Sequence, residues 1–439
     1  MRARLGSRLG FLMVAAGCAV GLGNVWRFPY VVGENGGAAF VVVYLAFLAL
    51  LGFPLLLAEL AVGRGAKKGI ASAFADLAPG ARSAMWGMIG RTVFVGNFIL
   101  MIYYTDVAGW LVKYTAGYAA GGGAAADPAA AFKALLADKW TCSAFMCGSV
   151  LFATLVCLAG VVKGVERATK AMMLSLLVLL SALAAKALSL PGAGEGVKFY
   201  LAPDWSRFMA HPGKAVFDAM GQAFFTLSVG VGAMTIFGSY VGRERSLVSE
   251  AAWIIAIDTF VAILAGLIIF PACSAYGVDV TSGPGLIFIA LPKVFDAMPG
   301  GRAWGLLFFL FLSFAALTTI VAVFECLIGG LMDELRWPRA RATVLVGAAV
   351  AVCSMPCVLF ENVLKWEDFA VSQVWLPVGA LVLCLFATRS WGWGFDAFRA
   401  EASAGAGLRL PAWCGLYMRW ILPLLLTGVL AIGIKSAIT

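Results

Sequence analysis

The chain has 439 residues, of which 62% are hydrophobic and only 13% charged, and it carries a net charge of +9. That apolar share exceeds what a water-soluble globular chain carries and leaves lipid as the economical solvent. The positive charge does not imply nucleic acid, because its placement follows membrane topology.

A membrane span needs about 20 apolar residues. Segments at 8–30, 37–62, 85–116, 142–162, 169–190, 213–239, 247–275, 302–332, 341–360, 367–388 and 412–436 qualify, which predicts an all-α integral membrane protein with eleven transmembrane helices. With the N-terminus in the cytoplasm, 20 Lys or Arg fall on the cytoplasmic side and 11 outside, with Arg27 inside a span. Arg64, Lys67, Lys68, Arg82 and Arg91 form the strongest basic cluster. An odd number of spans then places the C-terminus outside.

The first segment starts on basic residues, yet "GNVWRFP" is no small-residue cleavage site and a second span follows, so the segment is expected to stay. It carries "GCAVGLGNVWRFPY" (17–30), where glycines, an Asn and an Arg arrive before the span should end. Next, "AGGGAAADPAAA" (120–131) reads as a flexible external loop, and 191–212 as a second external stretch. The sixth segment is interrupted by "TLSVGVGA" at 226–233. Between 276 and 301, "TSGPGLIFIALPKVF" holds an apolar run too short to span, expected as a short external hairpin. No soluble module is predicted, so 1–439 reads as a single domain. Ten Cys show no paired framework, Cys353 and Cys357 read as helix packing, and the single His211 leaves no histidine pair for haem or a metal cluster.

Five spans separate the two breaks. Segments one to five (8–190) and six to ten (213–388) therefore read as two copies inserted in opposite senses, with 412–436 as an added eleventh helix. Paired Gly-interrupted spans in corresponding halves mark a transporter site near the bilayer midplane. Breaking a helix in hydrocarbon strands N–H and C=O groups, each costing several kcal/mol unless something polar meets them. The carbonyls near Gly17, Ala19 and Val20 suit a small hard cation, and the half-helix starting near Leu22 and Gly23 points a positive dipole at the same spot.

The stretch "AAGCAVGLGNVWRFPYVVGENGGAAFVVVYLAFLALLGFPLLLAELAVGRG" resembles the signature of the neurotransmitter:sodium symporter family, and "GQAFFTLSVGVGA", "SFAALTTIVAVFE" and "EDF" are similar to that family's sixth, eighth and tenth helices, in order. The resemblance covers nearly the whole chain and points to the bacterial amino-acid branch, where an eleven-span form occurs. It implies the leucine-transporter fold of two inverted five-helix repeats with helices one and six unwound, and a location in the bacterial inner membrane as a monomer or weak dimer.

The resemblance also implies two sodium sites. One uses the Ala19 carbonyl, Asn24, Thr226 and Asp258, with the substrate carboxylate. The other uses the carbonyls of Gly17, Val20 and Ala315 with Thr318 and Thr319. Oxygen-only shells suit a hard cation. Implied substrate contacts are Tyr104 for the carboxylate, Cys18, Ala19, Gly21 and Leu22 at the first break, and Phe225, Ser228 and Gly232 at the sixth, with Leu100, Val231, Ile320 and Val323 around the side chain. Amine-transporting relatives place an Asp on helix one where Cys18 and Ala19 stand here, which favours a zwitterion with an aliphatic or aromatic side chain: leucine, methionine, phenylalanine or tryptophan.

Arg27 and Asp368, above a Phe225 lid, are the implied outer gate, and Arg2 with Asp333 the inner one, with Arg4 a competitor for Asp333. Asp258 stands where the family commonly has Asn, and Ala262 where chloride-dependent relatives have Ser, so transport is expected to need no chloride. Glu59 matches a position that steadies the helix-six break. Glu325 and Asp106 stay unassigned, and Leu174 stands where relatives often have Pro in helix five. The function expected is sodium-coupled import of a neutral hydrophobic or aromatic L-amino acid by alternating access, with one or two Na+. The alternatives are a membrane sensor on the same scaffold and, ranked last, an integral membrane enzyme.

Overall fold

The computed structural model describes residues 5–122, 127–278 and 285–438, apart from the side chains of Glu361 and 433–438. Arg2 and Arg4 lie outside the described residues, as do the first four residues of "TSGPGLIFIALPKVF".

The apolar segments fold as helices: α1 (Arg8–Ala19), α2 (Gly23–Glu34), α3 (Ala38–Ala66), α4 (Gly80–Ala119), α5 (Lys139–Leu158), α6 (Val161–Leu188), α7 (Pro212–Leu227), α8 (Ala233–Tyr240), α9 (Leu247–Ala275), α10 (Gly301–Leu335), α11 (Arg339–Leu359), α12 (Asn362–Thr388) and α13 (Cys414–Ile432). Nine of these are long and apolar enough to cross a bilayer, and α1 with α2, bent by 56°, makes a tenth. The expected eleventh is the sixth segment, which is split into helices of 16 and 8 residues, each too short to span alone.

Local chemistry sets the ends. Ser7 caps α1 by accepting from the Gly10 N–H at 2.9 Å, Asp138 caps α5 through the Thr141 N–H at 3.1 Å, and Pro212 opens α7 where its missing N–H is harmless. α10 is the central strut: 72% of its apolar window is buried against 33% for α5 and for α13, which face outward. α8 docks closely on α3 because Gly63 and Gly238 let the backbones touch, and a Cβ on either would strike the Thr235 or Leu60 main chain.

Two expectations change. The 120–131 stretch is not all loop: Asp127 accepts from the Ala129 and Ala130 N–H groups at 3.0 and 3.1 Å and starts a helix at Pro128–Ala137. The 276–301 connection is helical at Leu286–Ala290 and Leu291–Ala297 rather than a hairpin, and its Phe288 stacks on Phe132 and meets Trp26 and Trp110 edge-on. Arg64, a member of the basic cluster, is fully buried and pairs with Glu401 at 2.7 Å, so it is also a structural tie.

Candidate ion and substrate site

At the first break α1 ends on Ala19, Val20 turns extended, and α2 resumes at Gly23. The freed N–H groups are met locally: Gly21 donates to Asn24 Oδ1 at 3.2 Å and Leu22 to the Tyr104 hydroxyl at 3.3 Å. The freed carbonyls turn toward α10, where Thr319 Oγ1 lies 3.2 Å from Gly17 O, 3.3 Å from Val20 O and 3.2 Å from Ala315 O. Thr318 Oγ1 donates to Ala315 O at 2.9 Å. The structure thus gathers all five oxygen donors of the second expected sodium site, each on a buried residue. Such a cage of carbonyls and hydroxyls matches a hard monovalent cation.

Beside it, Asn24 Nδ2 donates to Asp258 Oδ1 at 2.8 Å and Thr226 Oγ1 donates to Asp258 Oδ2 at 3.1 Å. Asn24, Thr226 and Asp258 are all 0% exposed. Three of the four residues expected at the first sodium site therefore touch, and Ala19 is buried at the adjoining end of α1. An ionised carboxylate in that position is expensive unless a cation or proton offsets it. Gln222 Nε2 donates to Gly23 O at 2.9 Å and ties α7 to the same break.

At the other break, Ser228, Gly230 and Gly232 all take positive φ, of 51°, 106° and 78°, which is tolerable for glycine and strained for serine. Glu59 on α3 holds the turn. Its Oε1 accepts from the Gly230 and Gly232 N–H groups at 2.7 and 3.1 Å, and Oε2 from Met234 at 3.0 Å. From α4, Asn97 Nδ2 donates to Val231 O at 2.5 Å. Glu59 thus steadies this break as its place in the sequence implies, whereas the only sequence signal for Asn97 is its place one turn before Leu100.

A cavity of about 730 Å³ opens at one end of the bundle and reaches Leu22, Tyr104 and Phe225. Both Arg27 and Asp368 line it, and the Arg27 guanidinium lies 4.7 Å above the Phe225 ring, the stacking expected of a lid. Among the described residues no ion pair within 4.0 Å joins Arg27 to Asp368, so the two face one cavity without closing it. The other expected substrate contacts, Cys18, Ala19, Gly21, Leu100, Val231, Gly232, Ile320 and Val323, are buried, and Ser228 is partly buried.

At the opposite end Asp333 accepts from the Gly69 N–H at 2.8 Å. Glu325, unassigned from sequence, is fully buried and accepts from Arg339 Nη1 and Nη2 at 3.0 and 2.5 Å and from the Tyr240 hydroxyl at 2.5 Å, joining α8, α10 and α11. Nothing in a single sequence pairs Glu325 with Arg339, 14 residues on across a turn.

Broken helices with converging oxygens, inside an all-helical membrane fold, define a secondary transporter rather than an enzyme. The model of the Sodium:neurotransmitter symporter family matches residues 2–119 and 133–438. The chain belongs to that family and is a multi-pass, sodium-coupled membrane transporter of a small molecule. It is 35% identical to the uncharacterized sodium-dependent transporter YhdH of Bacillus subtilis, over 87% of this chain and 86% of that one. It is 31% identical to an uncharacterized sodium-dependent transporter of Haemophilus influenzae, over 96% and 95%. Its fold is similar to the crystal structure of MhsT in complex with L-phenylalanine, with a TM-score of 0.86 and 36% identity over 98% of this chain and 99% of the other.

Proposed function

We propose that the chain imports a neutral hydrophobic or aromatic L-amino acid into a bacterial cell across the inner membrane, with Na+ bound at two sites. The observation that carries this reading is the Thr319 hydroxyl, which sits among the carbonyls of Gly17, Val20 and Ala315 and links the break after α1 to α10. In this reading one ion sits among those groups and Thr318, and a second among Ala19, Asn24, Thr226, Asp258 and the substrate carboxylate. The substrate carboxylate binds Tyr104 and the N–H groups near Gly21 and Leu22. Its ammonium lies near the Phe225 and Ser228 carbonyls, and its side chain lies among Leu100, Val231, Ile320 and Val323. A similar protein that binds L-phenylalanine supports an aromatic or aliphatic substrate.

Ion and substrate share ligands, so each tightens the other by about 1–3 kcal/mol. Arg27 and Asp368 close over Phe225 on the outer side, while Asp333 with Arg2 closes the cytoplasmic side, where the N-terminus lies. Spans one, two, six and seven then rock as a four-helix bundle against the remaining helices. Asp258 supplies the fixed negative charge, so chloride is not needed.

Reconstitution into proteoliposomes with an inward Na+ gradient tests this. The expected result is accumulation of at least one hydrophobic or aromatic amino acid, abolished by a Na+ ionophore. Failure of all twenty amino acids to accumulate, with protein that is folded and inserted, would overturn it.

A further inference from the structure

Asn97 carries more than a structural tie. It lies on α4 one turn before Leu100 and two turns before Tyr104, and such spacings share one helix face. Tyr104 marks the far end of that face, where its hydroxyl meets the Leu22 N–H. At 1.5 Å per residue the two positions are about 10 Å apart along the axis, comparable with the length of an extended tryptophan.

The Asn97 side chain is 0% exposed. Its Nδ2 donates to Val231 O at 2.5 Å and more weakly to Phe94 O at 3.5 Å. A carbonyl oxygen can only accept, so the amide cannot be the other way round: nitrogen faces Val231, and oxygen faces away from it. That Oδ1 has no hydrogen-bond partner among the described residues. Native interiors fill nearly all such positions. From α10, Cys326 Sγ approaches Gly232 O at 3.8 Å, so Asn97 and Cys326 bracket the 231–232 turn at the depth assigned above to the substrate side chain.

We propose that Asn97 Oδ1 is a specificity-determining acceptor and that the preferred substrate carries an N–H on its ring edge, as tryptophan does. The inference rests on the amino-acid reading above. Leucine, methionine and phenylalanine bring no side-chain donor and leave the oxygen unmet. The indole N–H fills it, with the apolar remainder of the ring against Leu100, Val231, Ile320 and Val323. The polar complement also explains an Asn at a level otherwise lined by apolar side chains.

The test compares L-tryptophan with 3-(3-benzothienyl)-L-alanine, whose sulfur replaces the ring N–H at nearly the same shape, by equilibrium binding to the full chain in nanodiscs at saturating Na+. Tryptophan is expected to bind at least about tenfold more tightly. Equal affinity, or a tighter analogue, overturns the proposal. In Asn97→Ala a merely structural role weakens both ligands alike and keeps their ratio, whereas a direct contact brings the ratio toward one. Asn97→Ser serves if the alanine variant does not fold, and an unchanged ratio in the folded variant also overturns the assignment. If phenylalanine or leucine binds with Na+ and tryptophan does not, this inference falls while the transport reading stands. If no amino acid binds, both fall.

Discussion

The two helix breaks meet the same physical problem with different chemistry. After α1, the Gly17 and Val20 carbonyls are met by one hydroxyl, Thr319, at 3.2 and 3.3 Å, which also bonds Ala315 within its own helix. Between α7 and α8, three N–H groups go to the Glu59 carboxylate and one carbonyl to the Asn97 amide, at 2.5–3.1 Å. A shared hydroxyl is a weak partner that an ion can displace, whereas a multiply bonded carboxylate is a clamp. The contrast sets a break whose carbonyls are left open to an exchangeable partner, as the proposed ion site requires, against one that the protein clamps with its own side chains.

The clamp predicts the largest effect. Glu59→Leu orphans the Gly230, Gly232 and Met234 N–H groups, at about 1–3 kcal/mol each, and is expected to abolish recovery of monodisperse protein in fluorescence-detected size exclusion. Glu59→Gln retains one acceptor oxygen and recovers part of the yield. Wild-type yield and thermal midpoint in Glu59→Leu would show that the break does not depend on its clamp.

Next comes the charged end of the exchangeable side. Asp258→Asn removes the carboxylate that accepts from both Asn24 and Thr226 and is expected to raise the Na+ concentration needed for half-maximal amino-acid binding by about tenfold or more. Thr319→Val keeps the shape and deletes the hydroxyl, so a smaller rise of about 3- to 10-fold is expected in the same titration. Should Thr319→Val behave as wild type, the carbonyls of the first break are not an ion site. The smallest effect is none: replacing chloride by gluconate leaves uptake unchanged, and its loss would show that Asp258 does not supply the charge.

Much of this was legible in the chain because it depends on local pattern. Gly and small residues at 17–23 and 228–232 and a carboxylate at Asp258 within an apolar run each violate the rules of a membrane helix, and each falls at the candidate site, whereas Thr318 and Thr319 read locally as ordinary helix-bonded hydroxyls and gain a role only through the family resemblance. Asn97 and the Glu325, Arg339 and Tyr240 cluster were not legible in the same way. Asn97 gains its meaning from Val231, 134 residues away, and Tyr240 meets Glu325 across 85 residues, distances that only tertiary packing sets. The helix at Pro128–Ala137 is obscured by the glycines before it, although its alanines favour a helix and Asp127 followed by Pro128 is a start signal. The glycine pattern implies the split of the sixth segment but not that α7 ends in a left-handed Ser228.

In the proposed mechanism sodium and the amino acid neutralise the freed backbone groups together. Paired calorimetric titrations of the purified full chain, amino acid with and without Na+ and Na+ with and without amino acid, test it most directly. Each is expected to raise the affinity of the other by the same factor, between about 5- and 150-fold. An amino-acid affinity that is the same in Na+ and in choline would contradict it.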